Sequence, residues 1–270
     1  MILEPTVPGN YFVFGGINSA DYGVFISGTA TFDSPVKDIG VVTIPGRSGN
    51  VIFDNKRFDN LDIIYHCFIP RGFVEKFDDF KAALMSKTGY QRLEDTFQPD
   101  YFRQGYIVGP IQPLTGALNR SASFDITFTC KPQRYLKLGE RALTLNYTTP
   151  GPGTKNIHNR TLYYSKPLIQ VRSAAHGTGT IEIHRKDATN ADDYYSVTIN
   201  DNLTGTMYLD SETGNAYYES TSTGTVRKLA MNNKILTNIN GFPQIAPGFN
   251  QVVVTGDITR LAIQPRWYTI

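Results

Sequence analysis

Leu61-Asp62-Ile63-Ile64-Tyr65-His66-Cys67-Phe68-Ile69 is a nine-residue run with a period of two. Successive side chains of an extended strand point to opposite faces. Leu61, Ile63, Tyr65, Cys67 and Ile69 therefore share one apolar face, and Asp62 and His66 lie on the other. Phe124-Asp125-Ile126-Thr127-Phe128-Thr129-Cys130 reads the same way, with Phe124, Ile126, Phe128 and Cys130 on one side. Such runs define half-buried strands of an antiparallel sheet. In the first half of the chain, strands are expected near 22–32, 40–44, 61–69 and 124–130, separated by Gly, Asn, Pro and Asp. The composition agrees: 24 Gly, 15 Pro, 16 Tyr and 16 Phe in 270 residues favour short strands joined by many turns. With 40% hydrophobic and 19% charged residues the chain is ordinary globular material, long enough for two domains with their own cores.

One segment departs from the period of two. Phe73, Phe77, Phe80 and Leu84 fall at offsets of four, three and four, which predicts an amphipathic helix between Gly72 and Lys87. Val74 and Met85 extend the stripe, and Gly89 reads as a left-handed stop. A boundary is expected between Leu138 and Thr161, where Asn146-Tyr147-Thr148-Thr149-Pro150-Gly151-Pro152-Gly153-Thr154 is rich in turn formers. Beyond it Gly179–Arg185 alternates. Thr206–Asp210 with Ala216–Tyr218 reads as one hairpin, and Gln251–Thr255 with Ile258–Ile263 as a second around Gly256-Asp257. The expectation is an all-β protein with one helix, built from two β-sandwich domains at 1–140 and 141–270.

Chemistry is hard to find. The formal charge of +2 carries no basic block interleaved with aromatics, so sequence-specific nucleic-acid binding is not expected. No apolar run is long enough to cross a membrane as a helix, and the start at Met1 does not read as a signal peptide. Cys67 and Cys130 lie on the apolar faces of their strands and read as buried thiols. His66, His158, His176 and His184 have no metal-ligand spacing, so no metal and no cofactor is expected. Gly151–Asn156 lacks the spacing of a phosphate loop, and Ser48 lacks a nucleophile elbow. Asp78/Asp79, Glu94/Asp95 and Asp192/Asp193 read as solvated surface, since adjacent strand residues point apart. Tyr194, Tyr195, Tyr217, Tyr218 and Trp267 are the side chains able to stack on sugar rings, although core and rim positions account for them better. No catalytic residue is assigned.

Several segments resemble the distal tail protein (Dit) family of long, non-contractile-tailed phages. They are Asp21-Tyr22-Gly23-Val24 with Ile26 and Gly28, and Ile44-Pro45-Gly46-Arg47-Ser48-Gly49. Ala82–Ser86 follows with Tyr90, Leu93-Glu94-Asp95, Pro99-Asp100 and Tyr101, and then Phe124–Tyr135. The second half matches at Asn159, Pro167, Leu209-Asp210 to Tyr217, Phe242-Pro243, Pro247–Asn250 and Pro265–Tyr268, so the likeness runs in order along nearly the whole chain. Gly15-Gly16 departs from the pattern. The resemblance implies an N-terminal sandwich domain that builds a homohexameric ring and a galectin-like C-terminal domain. The ring, which can stack on a second ring, would join the major tail tube protein to the tail-associated tip or baseplate protein around a channel for DNA. The implied location is the distal tail tip of the virion, after assembly in the host cytoplasm. A receptor-binding protein or a host surface glycan is a further partner of this kind, and a carbohydrate-binding module is the alternative function. Pro45, Arg47, Glu94, Asp95, Tyr101, Arg134 and Tyr135 are the expected interface residues. Arg47 and Arg134 are expected to make charge-assisted hydrogen bonds at ring or domain contacts.

Overall fold

The computed structural model describes residues 9–27, 32–147, 152–173, 178–185, 194–200, 206–222 and 225–270. Gly28, residues 148–151 of the turn-rich segment, His176 and the Asp192/Asp193 pair lie outside the described residues. By its internal contacts the chain divides into two compact units, Met1–Arg134 with Ile270, and Tyr135–Thr269.

The first unit contains β1 (Phe12–Phe14), β2 (Ile17–Asn18), β3 (Phe25–Ser27), β4 (Lys37–Val42), β5 (Val51–Phe58) and β6 (Leu61–Ile69). After helix α1 (Phe73–Met85) come β7 (Gln91–Asp95), β8 (Tyr101–Ile107), β9 (Leu114–Thr115) and β10 (Ala122–Cys130). One antiparallel sheet runs in the order β2-β1-β7-β8-β10-β6-β3, with β9 alongside β10. The two strands with clean alternation are partners over their full length, from Leu61↔Cys130 to Ile69↔Ala122. Their apolar faces are buried position by position, as the period of two requires.

This sheet closes on itself. In a flat sheet β1 and β6 would lie about 19 Å apart, four spacings of about 4.8 Å. Yet the Phe12 ring stacks on Tyr65 at 5.4 Å and meets Phe128 edge-on at 5.3 Å. The curl brings the two halves face to face around an aromatic core, and α1 covers it. Phe73, Phe77, Phe80 and Leu84 of the helix are buried, with Phe77 edge-on to Phe124 at 5.2 Å. Val74 and Met85, expected in this stripe, are exposed. The buried arc is narrower than the sequence suggests, because the helix meets one strip of sheet. Gly89 takes a positive φ of 66°, but the helix has already ended, where the Ser86 N–H donates to the Ala82 carbonyl at 3.0 Å. Gly15 and Gly16, both at positive φ, form the two-residue link of the β1–β2 hairpin, a geometry that glycine adopts without strain.

In the second unit, after β11 (Arg134–Leu136) at the boundary, come β12 (Leu143–Asn146), β13 (Gly153–Asn159), β14 (Leu168–Ser173), β15 (Gly179–Arg185) and β16 (Tyr194–Ile199). The rest are β17 (Met207–Asp210), β18 (Asn215–Ser222), β19 (Thr225–Ala230), β20 (Ile235–Thr237), β21 (Gly248–Gly256), β22 (Ile258–Gln264) and β23 (Tyr268–Thr269). Two sheets, β12-β22-β14-β17-β18-β19 and β13-β21-β15-β16-β20, enclose one aliphatic core that includes Ile169, Ile181, Ile183, Leu209, Val252, Leu261 and Ile263. This is a β-sandwich.

The hairpin from Met207 to Tyr218 is present. The second expected hairpin is not: β21 and β22 belong to different sheets, and Gly256-Asp257 carries the chain from one layer to the other. Gly256 has φ +74°, and a Cβ there would lie 2.4 Å from the Thr178 carbonyl oxygen, so the crossing is too tight for any other residue. A two-residue Gly-Asp link is compatible with either path, which is why alternation on both sides did not separate them.

Candidate functional site

Two places in the first unit gather the expected interface residues. One is a recess lined by Tyr65, Leu93, Glu94, Asp95, Gln98, Tyr101, Phe102, Arg103 and Arg134, which unites four of the seven. Pairing of β7 with β8 sets Glu94 and Asp95 near Tyr101, and the chain arrives at Arg134 as it leaves β10. The Tyr65 hydroxyl donates to Asp95 Oδ2 at 2.7 Å, and the backbone N–H of Gln98 donates to Asp95 Oδ1 at 2.9 Å. Burial, with the Asp95 carboxylate beside it, holds the Tyr65 hydroxyl well above its usual pKa. Arg134 donates from Nη1 to Gln98 Oε1 at 2.8 Å while its guanidinium lies 4.6 Å from the centre of the Tyr101 ring. Arg92 binds Glu94 and stacks at 3.8 Å over Phe102. Arg103 is buried, and that burial lowers its pKa.

Glu94 and Asp95 are therefore half-buried and hydrogen-bonded, rather than the solvated surface expected from their adjacency. The end of β7 lies at the rim of the curled sheet, where both neighbours of a residue pair can face protein. Asp95 is committed to a tyrosine and a backbone amide, and Glu94 to an arginine. The recess is a network of polar contacts, in which Arg134 Nε is buried without a hydrogen-bond partner, and its two carboxylates are not arranged as a pair across a cleft.

The second place is the tip of the β4–β5 hairpin, which carries Pro45 and Arg47. The Arg47 N–H donates to the Ile44 carbonyl at 3.2 Å, and Gly46 has φ +79°. Proline then glycine at the centre of such a turn satisfies the type II requirement for a left-handed third residue. Thr43 donates to Asn50 Oδ1 at 3.2 Å across the base of the tip. Tyr135, the seventh residue, lies in the other unit, buried against Tyr268 with ring centroids 6.1 Å apart.

The hairpin also holds residues that sequence reading passed over. Among the described residues β4 pairs only with β5, in a two-stranded sheet of its own. Directly opposed residues share a face, so Val41 with Ile52, flanked by Ile39, form one apolar patch, and Val42 with Val51, beside Phe53, form another on the opposite side. Val41 is 52% exposed and Phe53 58%, so a residue on each face lies largely open. Lys37–Asp54 at 2.6 Å closes the base of the first face, and Arg57 with Asn55 holds Asp38 on the second. The missed signal was the pair of short apolar runs, Val41-Val42 and Val51-Ile52-Phe53, on either side of a Pro-Gly turn. A second apolar patch lies on the outer face of β6, where Ile64 is 39% and Phe68 37% exposed, with Phe25 against Phe68 at 5.9 Å.

The remaining candidates resolve into packing. Both cysteines are buried and free. His66 contacts Asp125 at 2.7 Å on the open face of its sheet, and His184 contacts Glu182 at 2.8 Å. Trp267 is part of the second core. Tyr217 is stacked on Tyr208 at 5.1 Å and covered by Lys228 at 4.4 Å, and Tyr194 is stacked on His184 at 4.6 Å. These rings meet their partners across neighbouring strands. Among the described residues no group of three or more His, Cys, Asp or Glu is placed to hold a metal ion, and no helix is long and apolar enough to cross a membrane.

Among the described residues the chain is one curled sheet with a single covering α-helix followed by a two-layer sandwich, and this fold is similar to that of solved phage tail and baseplate proteins. The particular likeness is to the distal tail protein, Dit, of phage SPP1, described as a paradigm of the hub adsorption apparatus in phages that infect Gram-positive bacteria. The two are similar over 94% of this chain and 97% of that one, with a TM-score of 0.66 at 14% sequence identity. A chain of the phage p2 baseplate in its activated, strontium-bound conformation is similar over 94% of this chain and 96% of its own, with a TM-score of 0.54 at 10% identity. No family model and no curated protein sequence matches the chain.

Proposed function

We propose that this chain is the structural hub of a long, non-contractile phage tail tip and that it catalyses nothing. Six copies close a ring that joins the tail tube protein to the tip or baseplate proteins and leaves a passage for DNA. The observation that carries this reading is the uncovered β4–β5 hairpin on a chain that shares its fold, end to end, with a phage hub protein. An isolated two-stranded hairpin is marginal in water and needs a surface to lie on. Closing a ring requires one surface of a subunit to meet a different surface on the next copy. The first unit offers such an unlike pair, the apolar hairpin and the Ile64/Phe68 patch. Pro45 and Arg47 would meet the neighbour at the hairpin tip, and the rim around Glu94, Asp95, Tyr101 and Arg134 supplies the aromatic and arginine side chains that durable interfaces favour.

Tail tube and tip proteins, a location at the distal end of the virion and assembly in the host cytoplasm belong to the same proposal. So does a galectin-like fold for the second sandwich. The carbohydrate-binding alternative draws less support, since Trp267 is part of the second core, Tyr194 has one ring face against His184, and Tyr217 has one against Tyr208. Negative-stain imaging of the purified full-length chain tests the ring. Closed six-membered particles with an open centre are expected, and a field of single copies at high concentration would overturn the proposal.

A further inference from the structure

Two arginines stand side by side on the outer face of the six-stranded sheet. Arg172 of β14 and Arg260 of β22 are directly opposed across antiparallel strands, and both are exposed. Residues so paired share a face with Cβ atoms about 4.5–5.5 Å apart, and like charges in that position destabilise the pair. Other opposed charges on the sheets are matched, His66 by Asp125 and Lys228 by Glu219. Neither arginine makes an ion pair among the described residues. Glu219 stands two strands from Arg172, on β18, where it takes the Tyr208 hydroxyl and faces Lys228. Local structure also holds the pair in place. Arg172 Nε donates to the Thr206 hydroxyl at 3.1 Å, which fixes the guanidinium and leaves its two Nη groups to a ligand. β14 and β22 slip register between Arg172 and Ser173, so Thr259 is the extra residue of a bulge, and its hydroxyl donates to the Arg172 carbonyl at 3.2 Å. Bulges bend a strand and re-aim the side chains beside them.

We propose that Arg172 and Arg260 form a binding site for a phosphate group, free or esterified. A guanidinium is planar and presents its N–H donors in a fixed fork that matches phosphate oxygens. Two forks from neighbouring strands can serve three oxygens of one tetrahedral group, more than a carboxylate offers. The Thr206 hydroxyl accepts from Arg172 and keeps its own proton, so it can donate one further bond. An anion between the guanidiniums would cancel the repulsion that the pair otherwise carries. The formal charge of the whole chain is only +2, which suits a local site for one phosphate rather than a track for nucleic acid. The site lies within the second sandwich and does not depend on ring formation.

The test titrates the full-length chain by calorimetry at constant ionic strength, with inorganic phosphate, glycerol 3-phosphate and the diester glycerophosphocholine as probes and acetate as control. Saturable binding of a phosphate probe is expected, and Arg172→Gln or Arg260→Gln should each weaken it about tenfold or more. Both residues are exposed, so each variant should keep the wild-type circular dichroism and, with a like-charge contact removed, should melt no lower than wild type. Arg172→Lys keeps the charge but loses the fork, and should also bind more weakly. Tighter binding of the diester than of inorganic phosphate would mark a phosphodiester as the source of the group, and the reverse a free phosphate. No saturable binding of any phosphate probe, an equal response to acetate, or binding unchanged in both glutamine variants would overturn the proposal.

Discussion

Arg266 holds φ at +53°, a left-handed conformation that costs a residue with a side chain roughly 1–2 kcal/mol. Its surroundings compensate. The backbone N–H donates to the Gly139 carbonyl at 2.9 Å, and the guanidinium donates to both Asp210 oxygens, at 2.6 and 3.4 Å. Burial alone would raise the Asp210 pKa, but the hydrogen bond and charge of Arg266 outweigh it and leave the carboxyl below its ordinary value. A carboxyl whose folded pKa is depressed contributes stability that is complete above its unfolded pKa and is lost as pH falls through the folded one. Asp210→Asn should therefore lower the stability of the second unit by about 1–3 kcal/mol at neutral pH. The difference from wild type should shrink as the buffer is taken below the usual carboxylate range, and thermal melts across that range measure it. A difference independent of pH would contradict the ion-pair account. The thiols give a second residue-scale expectation. Burial pushes Cys130 up to about 12 and Cys67 higher still, so neither should react with an aqueous thiol reagent at mildly alkaline pH until the protein is unfolded. Rapid labelling of the native chain would show that these strands open readily.

At the scale of elements, what could be read from sequence depended on how much local pattern each element carries. β6 and β10 were legible because every second residue on one face is apolar, and α1 because four large side chains repeat at helical offsets. The β21–β22 link was not, since Gly256-Asp257 suits a hairpin and a sheet-to-sheet crossing alike. The close approach of Thr178 to Gly256 decides between them, and that contact is long-range. Gly256→Ala combines a left-handed backbone with a carbonyl 2.4 Å from the new Cβ, and should destabilise the second unit by more than about 1 kcal/mol. A melting temperature unchanged in that variant would mean the crossing is looser than it looks. The hairpin escaped for a different reason. Its apolar residues run consecutively, so a period of two reports neither an inner nor an outer face.

For the whole molecule, the order of weak motifs along the chain pointed to a distal tail protein fold, and the likeness to the SPP1 protein over 94% of the residues agrees with it. The recess was legible only in part. Glu94, Asp95, Tyr101 and Arg134 were picked out, but Tyr65 and Arg103, which complete the network, look like ordinary strand residues until the sheet curls. Tyr135 stood beside Arg134 in sequence and is buried in the other unit. Contacts between subunits depend on surfaces rather than on local periodicity. The most direct measurement is the native mass of the full chain beside a variant in which residues 39–54 are replaced by a short glycine linker. The account predicts six times the 30.1 kDa chain mass for the wild type and a single chain for the variant, with both cores melting as before. A variant that still assembles into the wild-type ring, or a wild type that stays a single copy at high concentration, would contradict it.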